Sequence, residues 1–250
     1  MNLFAVIQDK FIELKDKIIF CFVDGDRWKW IVKGLGATIL ITICAAIIGI
    51  VIGIIVATIR SSYDKNSEAL ARKGGFGFRI FRFFNGLCKI YITIIRGTPV
   101  VVQLMLMYFV FMKSVTIGFI VALVTFGINS GAYVAEIVRG GIMSVDNGQF
   151  EAGRSLGFNY VQTMRHIVIP QAFKSCLPAL CNEFIALLKE TSIAGYVGIE
   201  ELTKAGDLIR GRTFEAFIPL FAVAIVYLVI VMILTKFLGL IERRLRQSDR

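Results

Sequence analysis

The sequence predicts an all-α integral membrane protein with about five transmembrane helices. Of its 250 residues, 56% are hydrophobic and only 18% are charged, and long uncharged stretches alternate with charged segments. A soluble domain of this size could not keep so much apolar surface from water, whereas a membrane-spanning helix needs about 20 apolar residues. The length suffices for one bundle with short loops and leaves no room for a separate soluble catalytic domain.

The net charge of +10 is explained by membrane topology. The basic residues flank apolar segments and do not form a surface interleaved with aromatic residues, so we expect no binding to nucleic acid. The five cysteines include no CxxC pair, and no metal site is expected. The first long apolar stretch begins after Lys33 without the features of a cleavable signal peptide, so the first span should direct insertion.

Residues 1–33 are predicted to form an extracytoplasmic amphipathic segment. Between positions 3 and 19, apolar residues recur at spacings of three and four, and the charged residues lie elsewhere on the helical wheel. The apolar positions are Phe4, Ile7, Phe11, Leu14 and Ile18. Such a helix is expected to lie at the membrane interface.

The transmembrane domain is predicted to cover residues 34–240. Its first span, 34–59, is uncharged and follows Trp28 and Trp30, which suit the aromatic belt of a membrane interface. Residues 60–89 carry an excess of basic side chains, which the positive-inside rule assigns to a cytoplasmic loop. A cluster of three glycines in this segment predicts that the loop is flexible.

The second span, at about 89–112, is interrupted early by Arg96 and Pro99. Proline removes a helical hydrogen bond and restricts the preceding residue, so Pro99 is either a hinge or an ordinary kink. After a very short turn, the third span is expected at about 115–138.

The fourth apolar region, at about 176–199, contains the charged residues Glu183, Lys189 and Glu190. Charged side chains within a membrane are costly unless they face protein or water. The fifth span, 216–235, is uncharged.

Residues 241–250 form a basic tail, which the positive-inside rule assigns to the cytoplasm. With five spans, the N-terminus then lies outside.

The predicted cytoplasmic loop 140–175 holds the most specific motif of the chain. It reads Glu151-Ala152-Gly153, three residues, Gly157, nine residues, and then Ile167-Val168-Ile169-Pro170. This pattern resembles the EAA loop of ABC importer permeases, with Gly153 in place of the second alanine and Ile169 in place of leucine. The stretches Arg96-Gly97-Thr98-Pro99 with Gln103, 132–142, Gly148-Gln149 and 182–189 are similar to the polar amino-acid branch (His/Glu/Gln/Arg/cystine-type) of these permeases. The resemblance covers roughly residues 34–240.

The residues themselves suggest how such a loop is built. Residues 151–156 and 160–166 each suit a short helix, and Gly157 can adopt the backbone conformation that a bend between them needs. In the family, this knob sits in a groove of a cytoplasmic ATPase subunit and transmits its closure. The resemblance therefore implies coupling roles for Glu151, Ala152, Gly153, Gly157, Ile167 and Pro170. A loop that merely lies on the membrane surface would leave the full spacing to Pro170 unexplained.

Several polar residues in the spans are candidates for a substrate path. Asn129, Tyr133 and Glu136 share one face of the third span, and polar groups so placed must face the bundle interior or water. An ion pair with Arg139 is the simpler explanation for Glu136. The candidate path residues are Gln103, Asn129, Tyr133, Asn182 and Glu183.

Each candidate also has a structural explanation. Glu183 could meet the ammonium or guanidinium group of an amino acid, or it could pair with Lys189 or Arg96. Gln103 could bind a passing substrate or a neighbouring helix.

The sequence contains no GxxxxGK[ST] phosphate loop, no HExxH helix and no Ser/His/Asp set. We therefore expect no catalytic residue, no bound metal and no cofactor in this chain, and no enzymatic activity of its own. The resemblance implies a multi-pass permease in the cytoplasmic or inner membrane that carries polar or cationic amino acids. It also implies two ABC ATPase subunits that use ATP and Mg²⁺, a second permease copy or a homologous permease, and an extracytoplasmic solute-binding protein.

Two other classes of function compete with this expectation. An ion-coupled secondary transporter would use Glu136, Glu183 and Lys189 as proton or cation sites, but we find neither the internal repeats nor the number of spans typical of that class. A membrane-embedded signalling or assembly protein would not explain the spacing from Glu151 to Pro170.

Overall fold

The computed structural model describes residues 3–73 and 75–247. Within these residues the chain forms α-helices, short 3-10 and π-helical turns and connecting turns, and no strand, which confirms the predicted all-α fold. The helices are α1 (Leu3–Ile18), α2 (Trp28–Lys73), α3 (Phe76–Gly97), α4 (Val100–Leu106), α5 (Gly118–Met143), α6 (Asn147–Ser155), α7 (Tyr160–Thr163), α8 (Ile169–Glu190), α9 (Leu202–Thr213) and α10 (Phe217–Gln247).

Three of the described helices are long and apolar enough to cross a membrane: α2 over Trp28–Lys65, α5, and α10 over Phe217–Arg244. A further pair, α3 and the segment Val100–Phe111, passes the same test together but is bent by 108° at the break between them. The model therefore contains three candidate spans, or four if the bent pair is one span. These helices contain most of the predicted spans at 34–59, 89–112, 115–138 and 216–235.

The fourth predicted region, 176–199, is organised differently from the prediction. Helix α8 begins earlier, at Ile169, and ends at Glu190, after which Thr191–Val197 forms a 3-10 helix. Its 22 residues would span about 33 Å, which is long enough for a membrane, but the charged residues along it lower its hydropathy. It runs antiparallel to α5, so its polar side chains can meet protein. The following helix α9 was not predicted.

The segment 60–89, predicted as a flexible loop, is largely helical. Helix α2 continues to Lys73 and α3 begins at Phe76, so the interruption is short and includes Gly75 with a φ of +115°. Gly74 lies outside the described residues. The basic side chains bias the side of the membrane on which the segment lies, but they do not prevent a helix.

Helices α2 and α5 run parallel and form a close seam. A Cβ atom added to Gly53 would lie 2.4 Å from Val134 Cγ1, and one added to Gly127 would lie 2.6 Å from Ile48 Cγ2. Small residues allow helix backbones to approach each other in this way within membranes. The seam holds α2 and α5 together as the centre of the bundle.

The end of the bundle where α2 and α5 begin is closed by a polar network around Glu201. This carboxylate is fully buried and accepts hydrogen bonds from the backbone amides of Thr203 and Lys204, each at 2.7 Å. The Tyr227 hydroxyl donates to it at 3.2 Å, and the Leu202 amide donates to Thr38 Oγ1 at 3.1 Å. Burial raises the pKa of the Glu201 carboxyl. The network ties α9 to α2 and α10.

Candidate functional site

The motif region forms a helical knob, residues 146–170, at the opposite end of the bundle. Asp146 caps α6, because its Oδ1 accepts a hydrogen bond from the Gly148 amide at 2.6 Å. At the other end of α6 the Phe158 amide donates to Gly153 O at 3.0 Å, and the Gly157 amide donates to Arg154 O at 2.9 Å. These two bonds form a Schellman motif with Gly157 in the left-handed region at φ +81°. The chain therefore turns sharply at Gly157.

The second half of the knob begins with a capping box. The Gln162 amide donates to Asn159 Oδ1 and the Asn159 amide donates to Gln162 Oε1, both at 2.9 Å. Helix α7 then passes through a π-helical turn, Met164–Val168, directly into α8. The two predicted helices around Gly157 are thus present, and the second is continuous with a helix of the bundle.

Gly153 lies buried where α6 crosses α7. A Cβ atom at this position would lie 2.7 Å from both Oγ1 and Cγ2 of Thr163 and 3.2 Å from Ile167 Cδ1. The departure from the family's second alanine therefore has a packing cause, since Thr163 fills the space that an alanine would need. Ile167, one of the predicted coupling residues, is partly buried beside it.

The outer surface of the knob is accessible and partly apolar. Leu156 and Val161 are each 70% exposed. Glu151 and Ala152 are exposed as well, and Glu151 forms no hydrogen bond or ion pair within the described part of the chain. Pro170 is exposed at the start of α8. Protruding apolar side chains beside an unpaired carboxylate are typical of a surface that binds another protein.

The base of the knob is joined to three helices of the bundle. Its apolar contacts involve Ile142, Val145, Val168 and Ala172, with Phe150 and Met164 at their edge. The Lys65 ammonium group donates to Asn147 Oδ1 at 2.8 Å and lies 4.3 Å from the centre of the Phe150 ring. Arg139 pairs with Asp64 at 3.2 Å. The knob is therefore packed against or bonded to α2, α5 and α8.

Inside the bundle, Gln103 closes the break between α3 and α4. Its side-chain amide nitrogen lies 2.7 Å from Ile95 O and 3.0 Å from Thr98 O, so it donates to carbonyls at the C-terminal end of α3. Its oxygen accepts from Asn129 Nδ2 at 2.9 Å. Of the two explanations for Gln103, the structure shows the contact with a neighbouring helix. Pro99 occupies the position before α4, at the 108° bend.

Asn129 and Tyr133 face this break from α5. Asn129 is 2% exposed, and its Oδ1 atom is buried without a hydrogen-bond partner among the described residues. The Arg96 guanidinium carbon lies 5.3 Å from the centre of the Tyr133 ring. Glu136 pairs with Arg139 at 3.2 Å, as the spacing in the sequence suggested, and with Arg96 at a longer 3.8 Å.

The remaining two candidates for the substrate path, Glu183 and Asn182, lie on α8 but do not form a common site. Glu183 Oε1 accepts a hydrogen bond from Ser130 Oγ at 2.9 Å, and within the described residues it forms no ion pair with Lys189 or Arg96. Asn182 is exposed on a different face of α8. The bond to Ser130 was not predicted, because a contact between residues 53 positions apart leaves no spacing signal in the sequence.

Apolar helices long enough to span a membrane, a helix pair bent by 108° and a protruding helical knob define a multi-pass membrane protein. Residues 49–247 match the family described as the inner membrane component of binding-protein-dependent transport systems. The chain belongs to this family. The match confirms both the resemblance seen in the sequence and the predicted membrane location.

Named relatives and solved structures agree with this assignment. The arginine transport system permease protein ArtQ of Bacillus subtilis is 34% identical over 225 residues, which cover 88% of this chain and 94% of that protein. The glutamine transport system permease protein GlnP of Escherichia coli K12 is 40% identical over 166 residues, 65% of this chain and 76% of that protein.

A solved amino acid ABC transporter chain superposes with a TM-score of 0.74 at 37% identity, covering 86% of this chain and 94% of that chain. The MetNI methionine ABC transporter, at 20% identity and a TM-score of 0.72 over 88% of this chain and 98% of that chain, shares the fold.

Proposed function

We propose that this chain is the permease subunit of an ATP-driven importer of amino acids, and that it hydrolyses no ATP itself. The observation that carries the proposal is the knob: its motif, its closed backbone geometry and its exposed surface fit a rigid coupling element. The relatives named as arginine and glutamine permeases support an amino acid as the substrate.

Coupling runs through the exposed face of the knob. Leu156 and Val161 enter an apolar groove of an ATPase subunit, and Glu151 meets a polar or basic group at its rim. Gly153 and Gly157 keep the two helices at a fixed angle. Two such ATPase subunits bind ATP and Mg²⁺, and this chain binds neither.

A second permease, either another copy or a homologous chain, completes the path. Polar side chains recur along one exposed stripe of α8 at intervals of four and seven residues, which places them on one face. The stripe consists of Gln171, Ser175, Asn182 and Lys189. A face of this kind suits a water-filled path between two subunits better than lipid tails. With five spans and the positive-inside rule, the N-terminus lies outside the membrane and the basic tail lies in the cytoplasm.

The end of the bundle opposite the knob receives the solute-binding protein. It carries an open cavity of about 570 Å³ lined by charged residues that include Lys33, Glu200, Asp207 and Arg210. Lys33 pairs with Glu200 at 3.0 Å. Hydrogen bonds from Arg210 and Lys204 lower the pKa of the Asp207 carboxyl. The charged side chains of this surface can therefore form ion pairs with a partner protein at neutral pH.

The transported molecule is a polar or cationic amino acid. Glu183 supplies a carboxyl group within the bundle, and Asn129 supplies a buried carbonyl oxygen that lacks a donor among the described residues. A buried acceptor without a partner is unfavourable by about 1–3 kcal/mol, which a water molecule or a substrate N–H group can relieve.

The test begins with co-expression of this chain, tagged, with a candidate ATPase subunit. We expect the two to co-purify, to hydrolyse ATP in lipid, and to lose both properties in Glu151→Ala and Gly157→Val while membrane insertion is unchanged. Glu13→Ala removes an exposed carboxylate from α1 and serves as the matched control. Normal import by the knob variants would contradict the coupling role. Flux that follows an imposed ion gradient without any ATPase would favour a secondary transporter that uses Glu136 and Glu183.

A further inference from the structure

An open depression of about 390 Å³ lies on the surface of α3. The side chains that line it recur at spacings of three and four residues, which places them on one face of the helix. They are Arg79, Arg82, Phe83, Gly86, Leu87 and Ile90. One end of the depression is therefore basic and the other end is apolar.

Contacts with α2 show how the depression lies relative to the membrane. The ring of Tyr63, which follows the uncharged stretch 34–59, packs against Phe81 with 5.6 Å between the ring centres. Further along α3, Cys88 belongs to an apolar cluster with Val56, which lies inside that stretch. The basic end is therefore level with the membrane interface, and the apolar end is level with the hydrocarbon core.

The two arginines at the basic end have no partner in the described part of the chain. Arg79 and Arg82 are exposed, and neither forms a hydrogen bond or an ion pair there. Helix α3 contains no acidic residue, and Asp64 on α2 is already paired with Arg139 at 3.2 Å. Because they are three residues apart, the two arginines are neighbours on the helix surface and can bind one phosphate group between them.

The apolar end is an open groove because Gly86 has no side chain. A Cβ atom added at this position would meet no atom within 4 Å. Phe83 and Ile90 flank the position along the helix and are 63% and 57% exposed. Ile90 lies about 12 Å beyond Arg82 along the helix axis. The groove is therefore long enough for part of an acyl chain and longer than a free phosphate needs.

We propose that this depression binds an anionic phospholipid. Arg79 and Arg82 bind its phosphate group with charge-assisted hydrogen bonds, and one acyl chain lies over Gly86 between Phe83 and Ile90. A phospholipid is the ligand that carries a negative charge at the interface and an apolar chain in the hydrocarbon core, in the same order as the two ends of the depression.

The leaflet follows from the position of the knob. Lys65, two residues beyond Tyr63 on α2, donates to Asn147 of the knob at 2.8 Å, so the basic end lies at the end of the bundle that carries the knob. In the proposed topology this end is cytoplasmic, and anionic lipids give the cytoplasmic leaflet its negative surface potential. The site requires only the membrane location and goes beyond the proposed transport of amino acids.

The test measures lipid binding by native mass spectrometry on the chain purified with the subunits that accompany it. The probes are phosphatidylglycerol, phosphatidylcholine with the same acyl chains, and glycerol 3-phosphate, which carries the phosphate without a chain. We expect the tightest site to prefer phosphatidylglycerol over phosphatidylcholine by about 10- to 30-fold, because two arginines attract the net negative charge. Glycerol 3-phosphate should not bind at the same concentrations.

Two variants remove the two halves of the site separately. Arg79→Gln combined with Arg82→Gln should lower the affinity for phosphatidylglycerol to that for phosphatidylcholine. Gly86→Leu fills the groove with a side chain that meets no protein atom at its Cβ, so the fold is kept. It should weaken the binding of both lipids about tenfold, because the acyl chain loses its apolar contact.

Matched controls lie on α10. Arg243→Gln combined with Arg244→Gln removes two exposed arginines from the end of that helix, and Gly239→Leu adds the same side chain at another position where a Cβ meets nothing within 4 Å. Both controls should keep the affinities within about twofold.

Four outcomes would overturn the site. Equal losses in the arginine variants of α3 and α10 would mean that overall charge attracts the lipid. Binding of glycerol 3-phosphate as tight as that of phosphatidylglycerol would define a phosphate site without a lipid. An unchanged affinity in Gly86→Leu would place the acyl chain elsewhere. Variants of α3 that bind lipid normally but separate two permease copies in the same spectra would make this face a protein interface.

Discussion

The knob and the broken helix are built in different ways. In the knob, the bonds that define the turn join residues no more than five positions apart, such as Phe158 with Gly153 and Asn159 with Gln162. At the broken helix, Asn129 of α5 bonds to Gln103 over 26 positions, and beside it Ser130 of α5 bonds to Glu183 of α8 over 53. The knob is therefore fixed mainly by local sequence, whereas the polar interior depends on how the whole bundle packs.

Among variants that compare the packing of the two regions, the largest effect should come from overpacking the crossing of α6 and α7. In Gly153→Val, the added methyl groups would overlap Thr163, whose side chain already lies 2.7 Å from a single added Cβ. Overpacking costs about 1–3 kcal/mol, so we expect ATP-driven import to fall by roughly 10- to 100-fold. Gly140→Val places the same side chain where a Cβ meets nothing within 4 Å and should import normally. Equal activity of the two variants would show that the knob is not rigid.

The second-largest effect should appear at the break between α3 and α4, where the hydrogen bonds join distant residues. Gln103→Ala removes the donor to Ile95 O and Thr98 O and the acceptor for Asn129. Buried groups left unpaired cost about 1–3 kcal/mol, so we expect a lower Tm in nanodiscs and about tenfold slower import. Val102→Ala, at an exposed neighbour on α4, is the control. An unchanged Tm would mean that Gln103 does not hold the bend.

A smaller effect tests the turn of the knob alone. Gly157→Ala forces an L-residue into a φ of +81°, which costs about 1 kcal/mol and should slow import about fivefold. Gly157→Asn should recover most of this loss, because asparagine tolerates the left-handed region. The conformational explanation fails if alanine and asparagine behave alike. Vesicle uptake at saturating ATP provides the measurement.

The smallest expected effect concerns the brace between α2 and the knob. Lys65→Met removes the hydrogen bond to Asn147 and the charge over the Phe150 ring. An exposed cation–π contact is worth about 0.5–1 kcal/mol, so import should fall about twofold while ATP hydrolysis continues, and Lys65→Arg should restore it. A parallel decline in ATP hydrolysis would indicate lost docking instead of weakened transmission.

The difference between local and long-range contacts also decides what could be predicted from the sequence. The turn at Gly157 and the helices beside it were predicted because their signals lie within a dozen residues. The uncharged spans were predicted because hydropathy depends on composition alone. The close packing of Gly153 against Thr163 was not predicted, and the coupling role of Gly153 stays a prediction.

The interior could be predicted only in part. Asn129 and Glu183 were recognised as polar residues that must face protein or water, but their partners Gln103 and Ser130 depend on the packing of separate helices. The end of α8 at Glu190 was missed because apolar residues resume within the 3-10 helix, and α9 was missed because its sequence is polar and carries no span signal. The charges of residues 60–89 predicted the side of the membrane on which this segment lies. Together with the glycine cluster they led to the prediction of a flexible loop, where the structure is largely helical.

The close packing of α2 against α5 fixes the distance between these two helices. A Cβ at Gly53 would overlap Val134 at 2.4 Å, so the two helices are too closely interlocked to slide past each other without steric overlap. Two spin labels placed on the lipid-exposed sides of α2 and α5 should therefore report one constant distance throughout the transport cycle. Distances from this pair to labels on α4 or α8 then separate true helix movement from rotation of the whole subunit.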